Sequence, residues 1–204
     1  MSHLYTKAIE WGIVETHPMV GKFKKKHAMP SRTYITDETI AEALKTAPPL
    51  IHAYVILKLL TGLRMGDMLS LKIKGWQSDG LHVTPRKTQH SSGKSLVFER
   101  TPELESAINA VLALKHPHIT EYLFCTRDGN PYIKANGIMN GLQSVWQRWQ
   151  QKVPERFKER DIRVKVGPDS ASDEEAAKRL GHSATSTTRK HYRAKPEVVR
   201  PLNR

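Results

Sequence analysis

The chain has 204 residues, with 33 lysines and arginines against 20 aspartates and glutamates, a formal net charge of +13. That excess points to a polyanionic partner, nucleic acid ahead of an anionic membrane surface, because no segment reads as a basic amphipathic anchor. No apolar run approaches the ~18 residues of a membrane span and no signal peptide is visible, which fits a cytoplasmic protein, and the single cysteine, Cys125, excludes a disulfide framework and cysteine-based zinc sites.

Hydrophobic residues make up 38% of the chain and fall in periodic blocks, so a packed core is expected. The length suits one domain, or one domain with a fragment of another. Residues 4–14 read as a helix that Thr16-His17-Pro18 ends. The run Lys22-Phe23-Lys24-Lys25-Lys26 has no apolar periodicity and reads as a linker, either a solvated charge run or one that lies on phosphate. Thr36 is placed to cap a helix whose first turn carries Asp37 and Glu38, which suits the positive helix end.

Residues 50–60 are apolar nearly all round, the pattern of a buried helix. Gly62 interrupts it, and a short helix is expected from Arg64 to Leu71. Short strands near 80–85 and 94–99, separated by polar residues and Gly93, read as a hairpin with a long loop. Thr101-Pro102-Glu103 opens a helix with the stripe Leu104, Ile108, Val111 and Leu112. Another helix follows Asn136, with Ile138, Leu142, Val145, Trp146 and Trp149 on one face, aromatics better suited to a core than to base stacking. Ser172-Asp173-Glu174-Glu175 reads as a capping box, and its helix stops at Gly181. The expected fold class is mostly α with a small antiparallel β-sheet (α+β).

The densest chemistry lies in Leu180-Gly181-His182 through Arg193, where Tyr192 follows His182 by ten positions among several cations. Two arginines stand upstream, Arg64 in Thr61-Gly62-Leu63-Arg64 and Arg163 in Arg160-Asp161-Ile162-Arg163. A phenol has an ordinary pKa near 10 and must lose its proton to attack phosphorus. Permanently charged, planar guanidinium groups answer the charge that then develops on the phosphate oxygens. A lysine can protonate the departing 5′ oxygen.

Together these residues resemble the tyrosine recombinases, the phage integrase family. Thr61-Gly62-Leu63-Arg64-Met65-Gly66-Asp67-Met68-Leu69 looks like the first-arginine motif. Arg160-Asp161-Ile162-Arg163 looks like the His-x-Leu-Arg box, and Leu180-Gly181-His182 with Thr187-Thr188 and Tyr192 looks like the closing motif. Lys87, in Pro85-Arg86-Lys87-Thr88, matches the hairpin lysine. Each motif alone is weak; their order over residues 30–200 gives the resemblance its weight.

The resemblance implies the DNA breaking-rejoining catalytic fold. It implies Tyr192 as nucleophile, Arg64 and Arg163 as the phosphate clamp, Lys87 as the acid for the 5′ hydroxyl, His182 as a phosphate donor and Asp67 as the orienter of Arg64. Arg160 stands where the family usually has histidine. It cannot act as a base near neutral pH but could contact phosphate. Gly167-Pro168 falls where many members continue a helix.

The implied activity is site-specific recombination through a covalent 3′-phosphotyrosine, without metal, nucleotide or other cofactor. The implied partner is double-stranded DNA, bound as a homo-tetramer by a protein that is monomeric in solution. Two alternatives remain at this point: relaxation in the manner of a type IB topoisomerase, and a non-catalytic DNA-binding regulator derived from an integrase. Residues 1–30 read as a remnant helix of an N-terminal core-binding domain plus the basic linker, and 31–204 as the catalytic domain. Without the rest of a DNA clamp, affinity should be weak and steeply salt-dependent. In the tail, Val198 and Val199 could anchor on a neighbouring subunit.

Overall fold

The structure is a computed structural model that describes residues 2–18, 34–86, 95–114, 119–134, 139 and 141–181. The chain divides into two compact units, Met1–Ser31 and Arg32–Arg204. In the first, α1 spans Ser2–Glu10 and the chain turns at Gly12, a shorter helix than the sequence pattern suggests. Tyr5 packs its ring on His17, while Leu4, Trp11 and Ile13 stay exposed. The basic run at Lys22–Lys26 lies outside the described residues.

The larger unit begins as its cap residue dictates. The Thr36 hydroxyl accepts the Thr39 N–H at 3.2 Å and opens α2, Asp37–Leu44. Helix α3, Pro49–Thr61, buries Ile51, Ala53, Tyr54, Val55 and Leu57, as its all-round apolar pattern requires. Gly62 ends it in the left-handed region (φ +63°). The next helix, α4, is one turn, Met65–Met68, shorter than expected; Arg64 is its N-cap and Leu69–Ser70 already turn away.

Three antiparallel strands follow in the order β1 (Trp76–Gln77), β2 (Gly80–Val83) and β3 (Leu96–Glu99). The expected hairpin is β2–β3, in the register Gly80 opposite Glu99 and Val83 opposite Leu96. Thr101 caps α5, Pro102–Leu112, which buries Leu104, Ala107, Ile108 and Val111. Leu112 is instead 45% exposed, because at the last position it has turned off the buried stripe. Helix α6, Leu142–Gln150, puts Trp146 and Trp149 into an edge-to-face cluster with Tyr54 and Phe157, and Trp149 Nε1 donates to the Ala43 carbonyl. These aromatics are core. Ile138 lies outside the described residues.

Helix α7, Glu159–Asp169, takes in Gly167-Pro168 and ends one residue later. The proline sits in the last turn, so the loss of its N–H removes one ladder bond at the helix end and leaves the preceding turns intact. The Lys158 N–H donates to Asp161 Oδ2 at the start of this helix. Helix α8, Asp173–Arg179, starts at Ser172, whose hydroxyl accepts the Glu175 N–H, and ends before Gly181 at φ +65°. Only half of the expected capping box forms at Ser172, because the Glu175 carboxylate takes the Ala171 N–H instead. No helix among the described residues is long and apolar enough to cross a membrane.

Candidate active site

The site is built around the break between α3 and α4. Gly62 serves there twice: its φ is one that side chains resist, and a Cβ would lie 2.8 Å from Leu180 Cδ2 and 2.9 Å from Val166 Cγ1. The missing side chain lets the ends of α7 and α8 approach the turn. Two residues later Arg64 adopts an extended backbone and stands about one-third exposed at the start of α4.

Arg163 comes to the same turn from α7. Its side chain is nearly buried. Nη1 donates to the Gly62 carbonyl and Nη2 to the Leu180 carbonyl, the latter at 2.7 Å. Both acceptors lie at helix C-terminal ends, where carbonyls are orphaned and the dipole favours a cation. One guanidinium therefore joins the first-arginine motif to the residue two places before His182.

Asp67, almost wholly buried, ties in the hairpin side. Its Oδ1 accepts the Arg86 N–H at 2.9 Å, while Oδ2 stands 3.8 Å from Arg64 Nη1. Oδ2 has no hydrogen bond of its own in the structure. Asp67 thus faces Arg64 at ion-pair range, and its close bond goes to the main chain next to Lys87.

Arg160 lies one turn before Val164 on α7, 58% exposed, with Nε 3.9 Å from Asp161 Oδ1. Burial pushes the Asp161 carboxyl above the ordinary aspartate range, against the Lys158 N–H and the Arg160 charge, which pull it down. Lys87, His182 and Tyr192 lie outside the described residues, as does the Val198–Val199 tail. Among the described residues no group of three His, Cys, Asp or Glu could hold a metal ion.

Behind Arg163 sits a cluster that motif reading missed. Lys58, 1% exposed, is bonded to Glu159 Oε1, and the Tyr54 hydroxyl donates to the same oxygen at 2.5 Å. Burial pushes the Tyr54 phenol well above its ordinary range, and the Glu159 charge pushes it further. The visible signal was a lysine within the largely apolar block 50–60.

By sequence, no family model matches the chain and no curated protein matches it. By structure it is similar to a lambda integrase tetramer bound to a Holliday junction, with a TM-score of 0.73 at 15% identity over 99% of this chain. It is similar also to a lambda integrase (75–356) dimer bound to a COC' core site (TM-score 0.74, 15% identity, 99% of this chain and 73% of that one). A third is the Tn1549 transposon integrase in complex with circular intermediate DNA (TM-score 0.64, 14% identity, 94% of this chain and 71% of that one). All are tyrosine recombinases.

The chain has the tyrosine recombinase fold. It spans 59% of the lambda integrase chain in the tetramer. The half-helical content and three-stranded sheet of that fold agree with the mostly α, small antiparallel sheet expected from the sequence. Within it, Arg163 is bonded to the Gly62 carbonyl, two residues before Arg64.

Proposed function

We propose that this chain is the catalytic part of a site-specific DNA recombinase that cuts and rejoins double-stranded DNA through a covalent 3′-phosphotyrosine. The observation that carries this reading is the Arg163 guanidinium, which links the turn bearing Arg64 to the helix end that leads to His182. A buried arginine held on helix-end carbonyls beside a second, part-exposed arginine suits a phosphate whose negative charge grows during reaction.

In the proposed reaction the Tyr192 oxygen attacks phosphorus as its proton is released to water. The bond from phosphorus to the 5′ oxygen breaks, and Lys87 protonates that oxygen. His182 donates to a non-bridging oxygen. Arg160, exposed on α7, contacts the DNA backbone in place of a histidine. Rejoining is the reverse step, with a 5′ hydroxyl displacing the tyrosine. The phosphodiester energy is conserved in the phosphotyrosine, so the step draws on neither metal nor nucleotide. The active assembly is a tetramer on DNA, and the setting is the cytoplasm of a bacterial or phage-infected cell.

The test uses nicked duplexes of randomised sequence that trap the cleaved state. The full chain at low salt is expected to give a denaturation-resistant DNA adduct that Tyr192→Phe abolishes. Equal adduct from Tyr192→Phe, or DNA binding with no adduct from the unmodified chain, would contradict catalysis; the latter is the outcome for an integrase-derived regulator. Relaxation of supercoiled DNA without strand exchange would point to topoisomerase-like activity.

A further inference from the structure

Lys58 and Glu159 occupy places that apolar residues would fill if packing were their only task. Lys58 is on the buried face of α3, and Glu159 begins α7 in contact with it. The same offset of 101 residues separates Lys58 from Glu159 and Gly62 from Arg163. The two helices are therefore clasped in parallel at two successive turns. On α3, Tyr54, Lys58 and Gly62 form a ladder one turn apart; on α7, Glu159 and Arg163 do the same.

That spacing carries a hazard. Glutamate and arginine one turn apart on a helix are placed to pair with each other. Were Glu159 uncommitted, its carboxylate would compete with the Gly62 and Leu180 carbonyls for the Arg163 guanidinium and cancel its charge. Lys58 and the Tyr54 hydroxyl both point at Glu159 Oε1 instead. The three charges leave one net positive charge, carried on the arginine side of the cluster. Burial pushes the Lys58 ammonium down, Glu159 pulls it up, and Arg163 and Asp67 also act on it, so these groups share one electrostatic neighbourhood.

We infer that Lys58 is a positioning residue, which commits the Glu159 carboxylate to itself and so keeps Arg163 on the Gly62 and Leu180 carbonyls with its charge directed to the phosphate. This rests on the reading of Arg163 as a phosphate ligand.

The test compares Lys58→Met with Lys58→Met/Glu159→Gln in the full chain. Lys58→Gln is a milder third variant that keeps an N–H for the carboxylate but no charge. Two readouts are taken at a temperature where circular dichroism shows each variant folded. One is the adduct rate at saturating nicked duplex, beside the half-saturating DNA concentration. The other, without DNA, is the side-chain nitrogen spectrum of Arg163, assigned through Arg163→Lys, where bonds at both Nη atoms give separate, slowly exchanging proton signals.

Lys58→Met is expected to slow the saturating rate by about 100-fold and to shift the Arg163 signals, Lys58→Gln by less. Removing the carboxylate charge in the double variant returns the rate to within about tenfold of the unmodified chain and restores the signals, with half-saturation changed by about twofold or less throughout. A purely structural pair would lose thermal stability without this rescue. Unaltered Arg163 signals in Lys58→Met and Lys58→Gln, or a double variant no faster than Lys58→Met, would overturn the inference. Absence of adduct from the unmodified chain would sink the catalytic reading alone, because the Arg163 spectrum reports on Lys58 independently.

Discussion

Gly62 is where backbone conformation and packing impose the same choice. Its φ of +63° and the approach of Leu180 and Val166 both exclude a side chain. Gly62→Ala is therefore expected to cost about 2–5 kcal/mol, combining left-handed strain with overpacking, measured as a fall in the urea midpoint. Arg163→Lys tests the neighbouring contact. A single ammonium cannot span the Gly62 and Leu180 carbonyls as the guanidinium does, so about 1–3 kcal/mol of stability should be lost. Under the proposed function the adduct rate should fall by about 100-fold or more. At this scale the sequence was legible where chemistry is local. Gly181 after a helix, Thr36 and Ser172 before one, and Gly62 at an interruption can each be read from a few neighbours. The pairing of Lys58 with Glu159 could not be, because it depends on which helix faces which.

Helix α7 shows why some elements escaped. Ile162, Val164 and Val166 alternate with Arg163 and Lys165, a two-residue period that suggests a strand, yet the helix buries both sets. Lys165 is tolerable inside because it is matched: it bonds Asp37 at 2.9 Å and Asp169 at 2.7 Å, with the Tyr34 hydroxyl nearby. Strand β1 was missed for a simpler reason, since Trp76–Gln77 is too short to show any period. Burial pushes the Lys165 ammonium down, but bonds to Asp169, Asp37 and Tyr34 more than reverse this and leave it above the ordinary lysine range. Between the unfolded value of about 10.4 and the higher native one, the native state keeps a proton that the unfolded state has lost. The stabilisation is thus complete below that window and lost as pH rises through it. Tyr54, pushed up by burial, acts in the same direction, and Lys58, pushed down by burial, opposes it. Urea midpoints should fall as pH rises from ~10 to ~12, and Lys165→Met should flatten that fall.

For the whole molecule, the +13 charge suits the DNA partner of the proposed function. Backbone phosphates should dominate binding, so affinity for a random duplex is expected to drop by about 100-fold or more between ~50 and ~200 mM salt in a fluorescence titration. A slope near zero would mean that the charge serves another purpose. The α+β class was readable from the helical stripes and the short hairpin, because each is a local signal. The roles of Lys87, His182 and Tyr192 rest on the sequence motifs alone, since those residues lie outside the described structure. The most direct test of the central claim is peptide mapping of the DNA adduct by mass spectrometry after nuclease and protease digestion. The predicted result is a nucleotide joined through its 3′ phosphate to Tyr192, with a free 5′ hydroxyl on the released strand; a 5′ linkage, or attachment to any residue other than Tyr192, would contradict it.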